Sequence, residues 1–528
     1  MNLRDSLLDA LKSLPGTREI HIHALISAPL KTQELFPYAF PRPRVWQQHI
    51  IVLASEQPSA AQPRVFMTAV EAYFYVIPST RSGILYISKV DSTGQGQKPS
   101  PTSTIVKQLI RFYVDPDTRP NLGGTDGLAE HVWVHVFARA QKQYLFPNSA
   151  DFEGKKPLSD VKLCLWWKSI LTSVGEKLSK RTGRKEGERI RLWHVLPGLN
   201  ELEAFQTLRP APPTNLGSSS NFDQPSIAWT YGHPSAQNFD EADSIPLPCP
   251  ADGKGSGFNL GRLIPSFEDD PKARFMDEIA HTTNSDVIKS PVRKKAKKAA
   301  DEDTHEAEKW DGSQTGELEK VAPEEYWERM SFRQECVAGI VTGFFAMGYV
   351  STSARPGVGG TGTGPSIFAP HPGHVSSNVT KRVMNSLMTG IEFSTVDKAV
   401  RGTETLEGAI RGMCEGVSVD GEVDPPRLHQ EHGRKTPEPG EGHGGLVDPP
   451  STPPRRMAVG GSLAGAEILP NPSTEPTASR ETYASWVYGS VCIDNPLPAR
   501  PSGDRGGTDK AADRRITVLA VRKKRKKE

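Results

Sequence analysis

Residues 64–77 read RVFMTAVEAYFYVI, from Arg64 to Ile77. Val70, Ala72, Phe74 and Val76 fall on one side of this run, and Glu71, Tyr73 and Tyr75 on the other. That period of two, in β-branched and aromatic residues, predicts a strand. The turn Pro78 to Ser82 leads from it into a neighbouring strand over Gly83 to Val90. Upstream, Glu19 to Leu25 and His49 to Ala54 are short apolar runs of the same kind. Downstream, His131 to Phe137 sets Val132, Val134 and Val136 against His131, Trp133 and His135.

Helical spacing follows the strands. Met1 to Leu14 alternates Leu with charge, as a short amphipathic helix does. Ile105, Leu109 and Phe112 recur behind Thr102-Ser103-Thr104, which is read as an N-cap. Ser159 to Leu178 places Leu163, Trp166, Trp167, Ile170, Val174 and Leu178 on roughly one side. Pro323 to Met347 spaces Phe332, Cys336, Ile340 and Phe344 four apart and is expected to be one helix. Strands early and helices later, without regular alternation, predict an α+β fold in which helices flank a central mixed sheet.

The chain has 528 residues, of which 36% are hydrophobic, and its 47 Gly and 45 Pro concentrate in the second half. That half lacks the apolar surface for another large core, so one domain over about residues 1–350 is expected. Within it, Arg181 to Arg189, Pro210 to Gly257 and Asn284 to Pro323 read as weakly ordered insertions. A linker over 351–379, a helical segment over 380–410, a disordered or doubtful stretch over 411–515 and a basic tail over 516–528 complete the expected organisation. The five cysteines have no paired spacing, which argues against a disulfide framework or a zinc site. No run approaches the length of a membrane span, so a soluble intracellular protein without a membrane partner is expected.

Some local signals have bland readings that win, and others do not. Gly357 to Gly364 lacks the Gly-Lys-Ser/Thr ending of a phosphate loop and reads as a linker. His131 and His135 share a strand face but find no further ligand at metal-binding spacing. The basic runs Arg293 to Lys298 and Arg522 to Lys527 read as nuclear import signals. Trp166 and Trp167 point about 100° apart on a helix, as core residues or as the wall of a ligand slot. Asp269-Asp270-Pro271-Lys272 reads as an exposed turn opening a helix, with Asp at the cap and Pro first.

Taken together, several segments resemble the fungal histone H3 acetyltransferase family known as the regulator of Ty-element transposition family. They are Tyr86 to Asp91, Gln143 to Ser149, Leu163 to Trp167, Trp229 to Gly232, Phe267 to Phe275, Phe332 to Cys336 and Thr389 to Phe393. The basic end following Thr517-Val518-Leu519 is similar as well. The resemblance implies a CREB-binding-protein-like acetyltransferase fold and transfer from acetyl-CoA, without a metal, to a core-domain lysine of newly made histone H3. It further implies action in the nucleus on H3–H4 with an anti-silencing-function chaperone, and in some lineages a nucleosome-assembly-type chaperone. Replication-coupled nucleosome assembly and the response to DNA damage are the setting it implies. The competing reading is a non-catalytic chromatin scaffold.

By the same resemblance, acetyl-CoA lies under the loop Asp91 to Ser103. Its contacts would be Val90, Asp91 and Ser92; Pro99, Ser100, Pro101, Thr102 and Ser103; Phe137 and Gln141; Lys156, Pro157 and Leu158; and Trp166. The family's loop carries arginines where this chain has Pro99 and Ser103, with Lys98 as the nearby cation. Trp167 and Tyr144 would line the slot for the substrate lysine, with Asp91 and Asp270 close by and Asp270 the base or proton relay. Lys272 corresponds to a lysine that the family acetylates on itself.

Overall fold

The computed structural model describes residues 2–39, 41–57, 61–119, 129–181, 186–209, 227–237, 243–249, 259–282, 318, 320–333, 336, 339–351, 372–416, 476 and 478–496. The early strands form as their alternation requires: β1 (Gly16–Ser27), β2 (Leu30–Thr32), β3 (Val45–Gln57), β4 (Val65–Ile77), β5 (Ser82–Ser92) and β6 (His131–Ala138). With β7 (Arg189–Val195), β8 (Trp229–Tyr231), β9 (Gly343–Val350), β10 (His374–Val375) and β11 (Tyr488–Asn495), they make one mixed sheet. Its order is β10-β1-β3-β4-β5-β6-β9-β7-β8, with β11 also on β1 and β2 on β3. The expected α+β class is what the chain adopts.

Both faces of the sheet are covered, and the period of two sorts residues between them. Val70, Ala72, Phe74 and Val76 join a core with α1 (Leu3–Leu11), α2 (Thr102–Val114) and α3 (Asp160–Ser179). Tyr75, Tyr86, Trp133 and Trp193 face the other way, against Phe36, Ile245 and Phe267. Beside them α6 (Pro271–Thr282) and α7 (Pro323–Met330), which follow the short α4 (Glu201–Thr207) and α5 (Leu260–Leu263), bury Phe275, Met276, Tyr326 and Met330. Further along the same face, α8 (Ser377–Thr389) and α9 (Val396–Glu415) bury Val383, Leu387, Leu406 and Ile410 against Leu25, Ile51 and Phe66.

Four expectations need correction. Pro323 to Met347 is not one helix: α7 stops at Met330, Gly339 adopts φ +68, and Gly343–Val350 is a strand between β6 and β7. The four-residue period was coincidental, because Phe332 is 76% exposed while every residue of β9 is buried. Residues 210–257 are not uniformly loose: β8 pairs with β7, and Pro246 accepts a hydrogen bond from Trp133 Nε1 at 3.0 Å. In 411–515, Tyr488–Asn495 pairs antiparallel with Gly16–His23 of β1, an edge whose N–H and C=O groups need partners. Finally, Thr102 does not cap α2: Pro101 holds that position without a side-chain bond, while the Thr102 hydroxyl bonds Thr68 and Ser100.

Most of the 284–323 insertion and of the 351–379 linker, the glycine run 357–364, both basic runs and the basic tail lie outside the described residues. Among the described residues, no helix is long and apolar enough to cross a membrane.

Candidate active site

β5 and β6 are parallel, so the chain between them must cross over the sheet, and α2 lies on that crossover. The crossover sets the N-terminus of α2 at the carboxyl ends of both strands, where a cavity of about 450 Å³ opens. β5 supplies one wall, from Tyr86 to Ser92. Ser100, Thr102 and Ser103 supply the head of α2; Phe137, Arg139 to Lys142 and Tyr144 follow β6. Lys155 to Leu158 with Leu163, Trp166 and Trp167 bring in α3, and Asp269 closes the ring.

The structure therefore brings Val90, Asp91, Ser92, Ser100, Thr102, Ser103, Phe137, Gln141, Tyr144, Lys156, Pro157, Leu158, Trp166 and Trp167 around one space. Pro99 and Pro101, Asp270 and Lys272 do not line it. Pro99 and Pro101 belong to the loop's frame: buried Arg18 donates to the carbonyls of Gln97 (3.2 Å) and Pro99 (3.0 Å), and Glu56 accepts from the Gln97 N–H at 2.9 Å. Gly94 passes so close to Lys155 that a Cβ would lie 2.5 Å from its Cα, and its φ of +80 suits glycine alone.

Asp270 is wholly buried, and its carboxylate is taken by the Lys272 ammonium and by the Lys272 N–H at 2.8 Å. That N–H bond is the helix cap its sequence position suggested. The carboxylate that does reach the cavity is Asp269, one residue earlier. It accepts from Tyr86 Oη at 2.8 Å and Ser88 Oγ at 2.5 Å. Of these two adjacent aspartates only Asp269 lines the space, and the sequence does not say which one does. Arg139, Lys142, Lys155 and Asp269 are lining residues that sequence reasoning missed; the first three lie between the segments that carried the resemblance, and Asp269 lies within one, beside the aspartate singled out.

Asp91 is spent on structure. One carboxylate oxygen accepts the N–H groups of Tyr144 (2.8 Å), Leu145 (2.9 Å) and Phe146 (3.1 Å), and the other pairs with Lys155 Nζ at 2.8 Å. It thereby fixes Tyr144 across from the tryptophans. Burial, with Asp91 adding to it, pushes the Tyr144 phenol up to about 12, so the group stays protonated. Trp166 donates Nε1–H to Ser103 Oγ at 2.9 Å, tying α3 to the head of α2, and meets Trp167 edge to face at 4.7 Å.

Charges of both signs line the cavity. α2 starts with no side-chain cap, which leaves N–H groups and the positive end of the helix dipole for an anion. Arg139, Lys142 and Lys156 add cations to the lining, with Arg139 acting on Tyr144. Tyr86, Tyr144 and Trp167 add aromatic faces, and Asp269 adds a carboxylate paired with Lys89 at 3.4 Å. This donor set fits a phosphate-bearing ligand with a slender arm reaching towards an aromatic pocket. The strand-face histidines serve packing: burial, with Lys272 adding to it, lowers His135 to about 3. Among the described residues no group of side chains is arranged to hold a metal.

Comparison with known proteins matches the same region. A histone acetyltransferase KAT11-type domain matches residues 127–408. A histone acetyltransferase rtt109 of Aspergillus flavus is 25% identical over 354 residues, covering 63% of this chain and 54% of that protein. Its counterpart in Schizosaccharomyces pombe is 25% identical over 288 residues, covering 54% and 57%. The chain thus spans about half the length of the curated relatives it matches. The crystal structure of Rtt109 from Aspergillus fumigatus superposes with a TM-score of 0.55 at 24% identity, covering 78% of this chain and 96% of that one, a likeness of fold. The matched domain takes in more than half of the chain, including the tryptophan pair and the Asp269–Lys272 turn, and the chain belongs to the KAT11-type histone acetyltransferase family.

Proposed function

We propose that this protein transfers an acetyl group from acetyl-CoA to a lysine in the globular core of histone H3, working on newly made H3–H4. The observation that carries this reading is one cavity lined together by an uncapped helix N-terminus, several cations, aromatic faces and a carboxylate. When bound, acetyl-CoA supplies an activated thioester acetyl group. The head of α2 with Lys156 and Arg139 would hold its phosphates, and Trp166, Phe137, Val90, Pro157 and Leu158 would pack along its arm. Tyr144 and Trp167 would flank the acceptor lysine.

An incoming ammonium must lose a proton before its nitrogen can attack. Desolvation between Tyr144, Tyr86 and Trp167 favours the neutral amine. Asp269 is the carboxylate positioned to attract the ammonium and pass its proton to solvent. Asp270 acts from behind, where it holds Lys272 and lends its field to Tyr86, whose phenol burial and these carboxylates raise. Lys272, beside the Phe344 ring at 4.7 Å, is the proposed site of self-acetylation.

Presentation of H3–H4 by an anti-silencing-function chaperone, or by a nucleosome-assembly-type chaperone, belongs to the same proposal, as do nuclear import through the basic runs and a role in replication-coupled assembly and DNA damage. Recombinant protein with labelled acetyl-CoA and H3–H4, with and without chaperone, should give an acetylated core lysine by mass spectrometry. No incorporation under either condition would leave the scaffold reading.

A further inference from the structure

A second cavity of about 440 Å³ lies behind Tyr86, Ser88, Lys89 and Asp269, which line both spaces. Its remaining walls include Tyr73 and Tyr75 from β4, with Glu34, Glu71, Ser266 and Glu268. Four carboxylates here face one ammonium, that of Lys89. Lys89 pairs with Glu71 at 2.6 Å and with Asp269 at 3.4 Å, and Asp269 is also held by Tyr86 and Ser88. Glu34 and Glu268 are exposed and have no ion pair among the described residues.

Two hydroxyls in this cavity await a partner. Tyr75 is only 6% exposed, and its hydroxyl has no hydrogen bond among the described residues. Burial, and then Asp269, Glu268 and Glu34 in that order, raise its phenol above the ordinary range, so three carboxylates converge on this one group. Ser266 Oγ is buried and likewise unpartnered among the described residues. An unmade hydrogen bond at a buried group such as Ser266 Oγ is costly, and a donor brought by a ligand would satisfy it, while the Tyr75 hydroxyl is open to the same donor. Tyrosine faces and carboxylates together select a cation rich in N–H donors.

We propose that this cavity is a subsite for a basic side chain, Lys or Arg, of the acceptor polypeptide, distinct from the lysine that is acetylated. The inference rests on the proposed acetyl transfer. The shared wall supports a polypeptide over a free cation: an extended chain that presents one side chain to the first cavity presents another, about 7 Å along, on the same face. Held there, the second side chain fixes the register of the acceptor.

The test uses the full chain, the double variant Glu34→Gln/Glu268→Gln, and two acceptor peptides that carry either arginine or citrulline beside a single lysine. Both substitutions are at exposed positions, and melting curves verify the fold. Fluorescence anisotropy should show wild type binding the arginine peptide about five-fold more tightly than the citrulline peptide, with the variant treating both alike. The KM for acetyl-CoA should not move. A wild type indifferent to the exchange, or a variant that keeps the preference, overturns the subsite. Charge-selective binding without acetyl transfer to either peptide or to H3–H4 would support the subsite and overturn the enzymatic reading.

Discussion

Asp270 and Lys272 form an ion pair sealed from solvent at the head of α6, with side chains no more than 3% exposed. A buried pair can be close to neutral as a whole, but removal of one partner strands the other charge. Asp270→Asn keeps a capping oxygen and should still cost about 3–5 kcal/mol, visible as a lowered melting temperature. A loss of turnover with unchanged melting would instead mark Asp270 as a direct participant in proton transfer. Lys272→Arg, which keeps the charge, should be milder on stability and should remove the proposed position of self-acetylation.

Asp91 should behave as a frame. An amide at this position would present N–H groups to donors and leave Lys155 unbalanced. Asp91→Asn is therefore expected to lose about 3 kcal/mol of stability together with activity. Chemical denaturation beside a turnover assay checks this; loss of turnover in a fully stable variant would assign Asp91 to the chemistry.

The tryptophan pair should divide its effects. Trp167 is 5% exposed and packs with Ile170, Leu171 and Val174, so Trp167→Ala should cost about 3–5 kcal/mol. Trp166 is half-buried and holds the head of α2 through Ser103. Trp166→Ala should weaken acetyl-CoA binding about ten-fold, the effect of losing roughly 1.4 kcal/mol, at a smaller stability cost. Calorimetric titration and melting curves on both variants would expose the reverse order.

Acid should loosen the attachment of β11. His23 lies under Tyr483, its Nε2 3.2 Å from the hydroxyl, and His21 Nδ1 meets Tyr488 Oη at 2.9 Å. Burial, with Arg64 and then His21 adding to it, lowers His23 to about 3; Glu19 opposes the shift only at His21. The unfolded chain binds this proton below about pH 6.5 and the folded chain does not until about pH 3, so stability falls as pH falls through that window. At pH 5 the loss from His23 alone should be about 2 kcal/mol. Urea midpoints at pH 7 and pH 5 should show a smaller drop in His23→Gln than in wild type.

Much of the fold was legible because the relevant forces act between near neighbours in the chain. Alternation in 64–77 and 131–137 predicted strands, and apolar spacing from Leu163 to Leu178 predicted α3. The failures came where local pattern and burial part company. Phe332, Cys336, Ile340 and Phe344 recur at a helical interval, yet the wholly apolar Gly343–Val350 is drawn into the sheet, where both of its faces are buried. Val491 and Ile493 alternate as strand residues do, but the polar composition around them concealed it.

The sequence by itself determined the early strands, the helices of the main core and, through its motifs, most of the side chains that meet at the cavity. Only the tertiary structure decided what those side chains do there. Asp91 and Asp270 are spent on a loop and on a lysine, Asp269 faces the space, and a second cavity stands behind it. Such roles depend on which way adjacent residues point and on which distant groups neutralise them. Those groups, Lys155 against Asp91 or Tyr483 over His23, come together only when the chain closes on itself.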